Sequence, residues 1–144
     1  MDNFLGLDLR LIWFHLYQLG ITFMLSLPLA INRESDSAGA GLRTFPLVGI
    51  SCCAFILVAM QVYEEPDAQA RVMYGIITGI GFIGGGSIVK DSNNVHGTAT
   101  AASIWLTGAL GVSVAYQRYE IAIVLSIVGF MVFQLLKPYK QKKE

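Results

Sequence analysis

Charge is what this sequence has least of. Only 14% of its 144 residues are Asp, Glu, Lys or Arg, against about 25% in soluble domains, so the chain has too little charge to clothe a water-facing surface. Acids are missing altogether from the middle of its apolar runs, where a proton relay inside a membrane would need one. Cysteine is nearly absent as well. Cys52 and Cys53 are adjacent within an apolar run; they have neither a disulfide framework nor the CxxC spacing of a metal site, and they read as small buried hydrophobes. The formal net charge is zero, so the balance gives no reason to expect nucleic acid or another polyanion as a partner. Ser, Cys and His do not fall into a hydrolytic set, and no enzyme activity is expected.

What the chain has in quantity is apolar surface. Hydrophobic residues make up 54% of it, and they gather into five runs, each near the roughly 20 residues that cross about 30 Å of hydrocarbon. The runs cover residues 11–31, 45–63, 71–89, 98–116 and 119–136. The first follows Asp2, Asp8 and Arg10 and is too long for a signal-peptide core, so it reads as a retained span. The expectation is an all-α integral membrane protein, a single bundle of about five transmembrane helices with no soluble C-terminal domain. Arg33, Arg43, Lys90 and the tail Lys137, Lys140, Lys142 and Lys143 fall on one side, while the other holds only Arg10, Arg71 and Arg118 alongside the acidic Glu64, Glu65 and Asp67. Because basic flanks stay cytoplasmic, the N-terminus is expected outside and the C-terminus inside. The lysine tail would then touch anionic lipid headgroups.

The third run is built from glycine. Gly75, Gly79, Gly81, Gly84, Gly85 and Gly86 sit in an apolar segment, and each would cost about 1 kcal/mol against alanine in a water-exposed helix. In lipid the backbone has no water to pair with and the helix is enforced. Gly75-xxx-Gly79 and Gly81-xxx-Gly85 then have the spacing that lets helices approach closely. Gly84-Gly85-Gly86 either stays helical and packs tightly, the favoured reading, or unwinds against a wet pocket. In the fourth run Ala99, Ser103, Thr107 and Gly111 recur every fourth residue, a small face matched to these glycines within the chain or across a dimer. Gly79-Ile80-Gly81-Phe82-Ile83-Gly84 spells GxGxxG without the preceding strand that gives a nucleotide-binding loop its meaning.

Polar residues mark the remaining candidates. His15, Gln18, Thr22, Ser26 and Arg33 form one stripe about 80° wide at 100° per residue, suited to interhelical hydrogen bonds or to a wet cavity. Glu65-Pro66-Asp67 starts a helix, with Asp67 placed to pair with Arg71 at i,i+4. Thr98 is expected to cap the fourth helix. Lys137, Pro138 and Tyr139 are expected to end the fifth. In the N-out arrangement Asn32, Arg33, Glu34, Arg43, the triple glycine, Asp91, His96 and Thr98 converge at the cytoplasmic end. Arg33 and Arg43 either snorkel to headgroups or hold carboxylates, phosphates or carbonyls. Glu34, Asp36 and Asp91 are the weak candidates for a Mg²⁺ ligand set, since that ion prefers a few carboxylates and keeps its water; no cofactor is otherwise called for.

Four ordered stretches carry a resemblance: 30–34 (Ala-Ile-Asn-Arg-Glu), 40–44 (Ala-Gly-Leu-Arg-Thr), Arg71-Val72-Met73-Tyr74-Gly75 on through Gly79 to Gly86, and 95–105, which opens Val95-His96-Gly97-Thr98-Ala99-Thr100. With them the chain resembles the membrane domain of the MgtC/SapB family. Phe45 stands where that family often has histidine, and His96-Gly97-Thr98-Ala99-Thr100 varies its usual Gly-Leu-Thr-Thr run. The resemblance implies a multi-pass protein of the bacterial inner membrane, adapted to low magnesium or to life in a host, including virulence. It implies a non-enzymatic modulator that binds other membrane proteins, the proton-translocating ATP synthase among them. Residues Asn32, Arg33, Glu34, Arg43, Thr44, Asp67, Arg71, His96, Thr98 and Thr100 are the functional candidates. A homo-oligomer, with a dimer favoured, is expected. The alternative function is transport or channelling of Mg²⁺ or another cation.

Overall fold

A computed structural model describes residues 8–34, 40–92 and 94–141, with side chains as far as residue 136. Five helices follow one another: α1 (Leu9–Glu34), α2 (Thr44–Val62), α3 (Pro66–Gly86), α4 (Thr98–Ala115) and α5 (Tyr119–Gln141). Between α3 and α4 lie two short antiparallel strands, β1 (Val89–Lys90) and β2 (Val95–His96), with Val89 opposite His96. Among the described residues the regular structure is otherwise all-helical.

Four helices, α1, α2, α4 and α5 over Tyr119–Leu136, are long and apolar enough to cross a membrane. The exception is α3, which at 21 residues would reach about 31 Å. Six of those residues are glycines that contribute no side-chain surface, and Asp67 and Arg71 occupy its first turns.

The helices run up and down. His15 on α1 meets Gln61 on α2, with Nε2 atoms 2.9 Å apart, and a Cβ at Gly49 would lie 3.1 Å from Thr22 Cγ2; α1 and α2 are therefore antiparallel. Tyr17 packs its ring edge on Tyr119, Ser126 Oγ donates 2.7 Å to the Leu25 carbonyl, and Arg33 lies over Phe133. Those pairings advance together, so α1 and α5 are parallel. Packing on all four of the others makes α4 the central helix, while α3 rests on α2 and α4 at the edge.

Glycine holds the core together, chiefly on α4, where Gly111 was expected to pack and Gly108 was not. A Cβ at Gly111 would enter the carbonyl oxygen of Gly49, so α2 and α4 cross backbone to backbone. Ile80 fills the space beside Gly108, and Gly129 lies under Leu106 and Leu29. Thus α4 turns Ser103, Thr107 and Gly111 toward the interior, against α2 in particular, and leaves Ala99 exposed. On α3 the packed residues are Ile76, Ile80 and Gly84. The expected pairing of α3 with α4 holds at Gly84, which packs on Ala101, but not along the rest of the α3 glycine face: around Gly75, Gly79, Gly81, Gly85 and Gly86 nothing lies within 4 Å of a built Cβ. An isoleucine set against a glycine on α4 buries more apolar surface than two smooth faces would.

Other boundaries moved for local reasons. The last turn of α1 takes in Asn32, Arg33 and Glu34, because Asn32 and Arg33 are both buried. Gly84-Gly85-Gly86 stays helical, and Ser87 N–H closes the turn on the Gly84 carbonyl at 3.0 Å. Val89, read as helix, belongs to β1. Thr98 is not the cap of α4; Gly97 is, at φ +86°, and Thr98 begins the helix. Pro138 does not end α5, which runs on to Gln141. On α5, Ala122 and Ser126 are buried, and the Ser126 hydroxyl bonds α1. Asp67 and Arg71 are both exposed and form no ion pair among the described residues.

The turn from α4 to α5 shows a usable strain. Gln117 N–H donates to Val114 at 2.9 Å and Arg118 N–H to Ser113 at 2.8 Å, the paired bonds of a Schellman ending. Gln117 fills the left-handed position, at φ 57°, that glycine ordinarily takes. A left-handed L-residue costs about 1–2 kcal/mol, and part of the relief is offset by the freer unfolded chain. Gln117→Gly is expected to stabilise the protein by about 0.5–1 kcal/mol, read as a higher melting temperature in detergent.

Candidate functional site

The candidates gather where α1 ends, α2 begins, and α3 passes through the hairpin into α4. Up-and-down topology alone brings these four helix ends together. At the end of α1, Arg33 is only 7% exposed, and its Cζ lies 5.1 Å from the centroid of the Phe133 ring on α5. A guanidinium suits that environment because it is weakly hydrated and stacks on aromatic faces. Asn32 beside it is buried too.

Glu34 takes a structural task. Its carboxylate accepts the Leu42 N–H at 2.8 Å, placing negative charge at the positive end of α2. A Cβ at Gly41 would collide with that same carboxylate, so glycine is needed for the return of the chain. Phe45 N–H then starts the turn on the Gly41 carbonyl at 3.2 Å. Arg43 is exposed at the cap of α2, Thr44 is half-buried, and Phe45 is fully buried.

Across the hairpin, Asp91 N–H donates to the Asn94 carbonyl at 2.9 Å, and its Oδ1 accepts the Ser92 N–H at 2.7 Å. Its carboxylate shapes the turn. Ser87 Oγ donates to the Gly84 carbonyl at 2.7 Å, and a Cβ at Gly97 would strike the Ser87 carbonyl oxygen. His96 and Thr98 are exposed, whereas Thr100 is buried on the inner side of α4. Gly84 packs on this first turn of α4, with the Ala101 carbonyl 3.2 Å from a built Cβ.

Thus Asn32, Arg33, Glu34, Arg43, Thr44, Asp91, His96, Thr98 and Thr100 occupy one end of the bundle, and Asp67 and Arg71 lie at the other. Of the proposed metal ligands, Glu34 and Asp91 each accept a backbone N–H, and Asp36 lies outside the described residues. Among the described residues no three His, Cys, Asp or Glu side chains converge on a metal position. Sequence reasoning missed Phe133, Ser87 and Leu42. The spacing of Ala122, Ser126 and Gly129, a small-residue stripe on α5, was the available signal for the α5 contact.

The polar stripe of α1 resolves into hydrogen bonds. His15 bridges to Gln61, and Gln18 Nε2 reaches the Val114 and Ala115 carbonyls, each at 3.4 Å. Thr22 donates to Gln18 O at 3.0 Å and Ser26 to Phe23 O at 2.7 Å. On α4, Ser103 and Thr107 return to Ala99 and Ser103 carbonyls at 2.7 and 2.8 Å.

The family model described as MgtC family matches residues 19–142. The chain belongs to the MgtC family. It is 33% identical over 111 residues to the protein MgtC of Salmonella typhimurium LT2, covering 77% of this chain and 47% of that one. It is 31% identical over 114 residues to the putative magnesium transporter YhiD of Escherichia coli K12, covering 74% and 53%. Protein SrpB of Synechococcus elongatus is 27% identical over an alignment of 161 positions that takes in 99% of this chain and 84% of that protein. The chain spans about half the length of the MgtC and YhiD relatives. No solved structure matches it. The MgtC match includes all the helix ends just described.

Proposed function

We propose that this MgtC-family chain is a non-enzymatic modulator of other membrane proteins, held N-out and C-in in the bacterial inner membrane with α3 as a fifth span, and acting by lateral helix association under low magnesium or inside a host. The observation that carries the reading is the character of the interior. Every described Asp and Glu is exposed. The buried hydroxyls of Thr22, Ser26, Ser103 and Thr107 are committed to carbonyls of their own helices, and Gly49 and Gly111 close the middle backbone to backbone. Such an interior suits tight packing better than a cation path, which calls for coordinating oxygens along its length. Partners are the bilayer, a second copy, and a further membrane protein; the ATP synthase that the family resemblance suggests is the first to try.

Full-length protein purified in mild detergent from magnesium-starved cells should bring down one defined membrane protein. The same protein, added to membrane vesicles containing that partner, should change its activity. Purification without a partner, or a partner whose activity is indifferent, contradicts the proposal. The second reading is transport of Mg²⁺ or another cation, favoured by the printed name of the YhiD relative.

A further inference from the structure

The outer side of α3 carries the two most exposed large hydrophobic side chains among the described residues. Phe82 is 85% and Tyr74 74% exposed. At 100° per residue, Asp67, Arg71, Phe82, Gly75, Gly86 and Gly79 fall within about 120° of one another, centred away from the packed residues Ile76, Ile80 and Gly84. We infer that this face, with Phe82 as a knob beside the hollow left by Gly75, Gly79 and Gly86 and with Asp67 and Arg71 at one end, is the contact surface for a second copy of this chain. The inference rests on the reading that the protein works by helix association, and it names the copy-to-copy surface.

Two features favour a copy over an unrelated helix. A two-fold interface uses the same patch on both subunits, so the patch must carry both the projection and the hollow that receives it. Here Phe82 projects from the same face that lacks side chains at Gly75, Gly79 and Gly86, where nothing lies within 4 Å of a built Cβ. The second feature is charge. Asp67 and Arg71 are exposed, one turn apart, and make no ion pair with each other or with another residue among the described ones. In a parallel two-fold pair, each Arg71 need span only about 6 Å along the axis to reach the copy's acid, so the patch is complementary to itself in charge as well as shape. Such a rim pair sets register and partner choice more than strength.

Cysteine cross-linking of full-length protein in native membranes tests this. Thr78, exposed on α3, lies on the same arc at 100° per residue; Thr78→Cys and Gly75→Cys should form disulfide-linked dimers on mild oxidation, while Val128→Cys on the exposed face of α5 should not. Unaltered protein, whose Cys52 and Cys53 are buried, should give no disulfide-linked dimer. Arg71→Asp, which leaves only acids at that end of the face, and Asp67→Arg, which leaves only basic groups, should each lose the Thr78→Cys cross-link. Co-expressed with distinguishable tags, the two should regain it as mixed dimers. Equal cross-linking at Val128→Cys, no dimer at either α3 position, links solely to a different polypeptide, or failure of the mixed pair would each overturn the assignment. A protein that conducts ions would instead overturn the modulator reading, so the two failures are distinguishable.

Discussion

Gly111→Val is expected to open the bundle. The side chain would enter the carbonyl oxygen of Gly49 and approach the backbone nitrogen of Cys53, built Cβ to nitrogen being 3.2 Å. Neither neighbour is the flexible end of a side chain, so α2 and α4 must separate. Overpacking that moves backbone costs about 3 kcal/mol at the upper end of its usual range, a large part of the 5–15 kcal/mol that typically holds a domain together. The readout is already in the chain. Cys52 and Cys53 are free and buried on α2, and a membrane-permeant maleimide should label them much faster in Gly111→Val than in the parent. Gly81→Val, at a position with nothing within 4 Å, should label at the parental rate. Equal labelling in all three proteins would refute the backbone crossing.

Gly97→Ala is expected to have the next largest effect, localised at the hairpin. Its φ of +86° is a conformation that L-residues rarely adopt, and a Cβ there would also strike the Ser87 carbonyl oxygen. Left-handed strain alone costs roughly 1–3 kcal/mol, and the collision adds to it. The β1–β2 pairing and the first turn of α4 should loosen together, since Ala101 N–H bonds the Gly97 carbonyl at 2.8 Å. Melting in detergent should fall by several degrees for Gly97→Ala and should not fall for Gly20→Ala, at a position inside α1 with nothing within 4 Å of a built Cβ. Faster amide exchange at Lys90 and Ala101 would place the damage at this junction; unchanged exchange there would count against it.

These two glycines show what the sequence could and could not say. The long apolar helices, and the crowding of informative residues at one end, were legible because hydrophobic run lengths and alternating direction are local properties. Which neighbour each glycine meets was not. The GxxxG spacing of α3 and the four-residue spacing of α4 point to Gly75, Gly79 and Gly111; within the chain Gly111 is met by Gly49 and Gly108 beside it is filled by Ile80, residues far along the chain. Thr98 had the chemistry of a cap, but the approach of Ser87 across the hairpin fixes Gly97 in that place. Glu34 and Asp91 looked alike as stray carboxylates; only the return of the backbone to Leu42 and Ser92 separates them into a loop clasp and a turn former. Arg33 was visible as a charge at the edge of an apolar run, while its stacking on Phe133 depends on α5 lying parallel to α1.

The central claim is that this MgtC-family protein acts by association and conducts no ions. Purified full-length protein in sealed liposomes carrying a Mg²⁺-sensitive dye, driven by an inward gradient and repeated with other cations, tests it most directly. The account predicts uptake no faster than in protein-free liposomes. Uptake that rises with protein content and disappears in Arg43→Ala or Asp91→Ala would contradict it and establish transport instead.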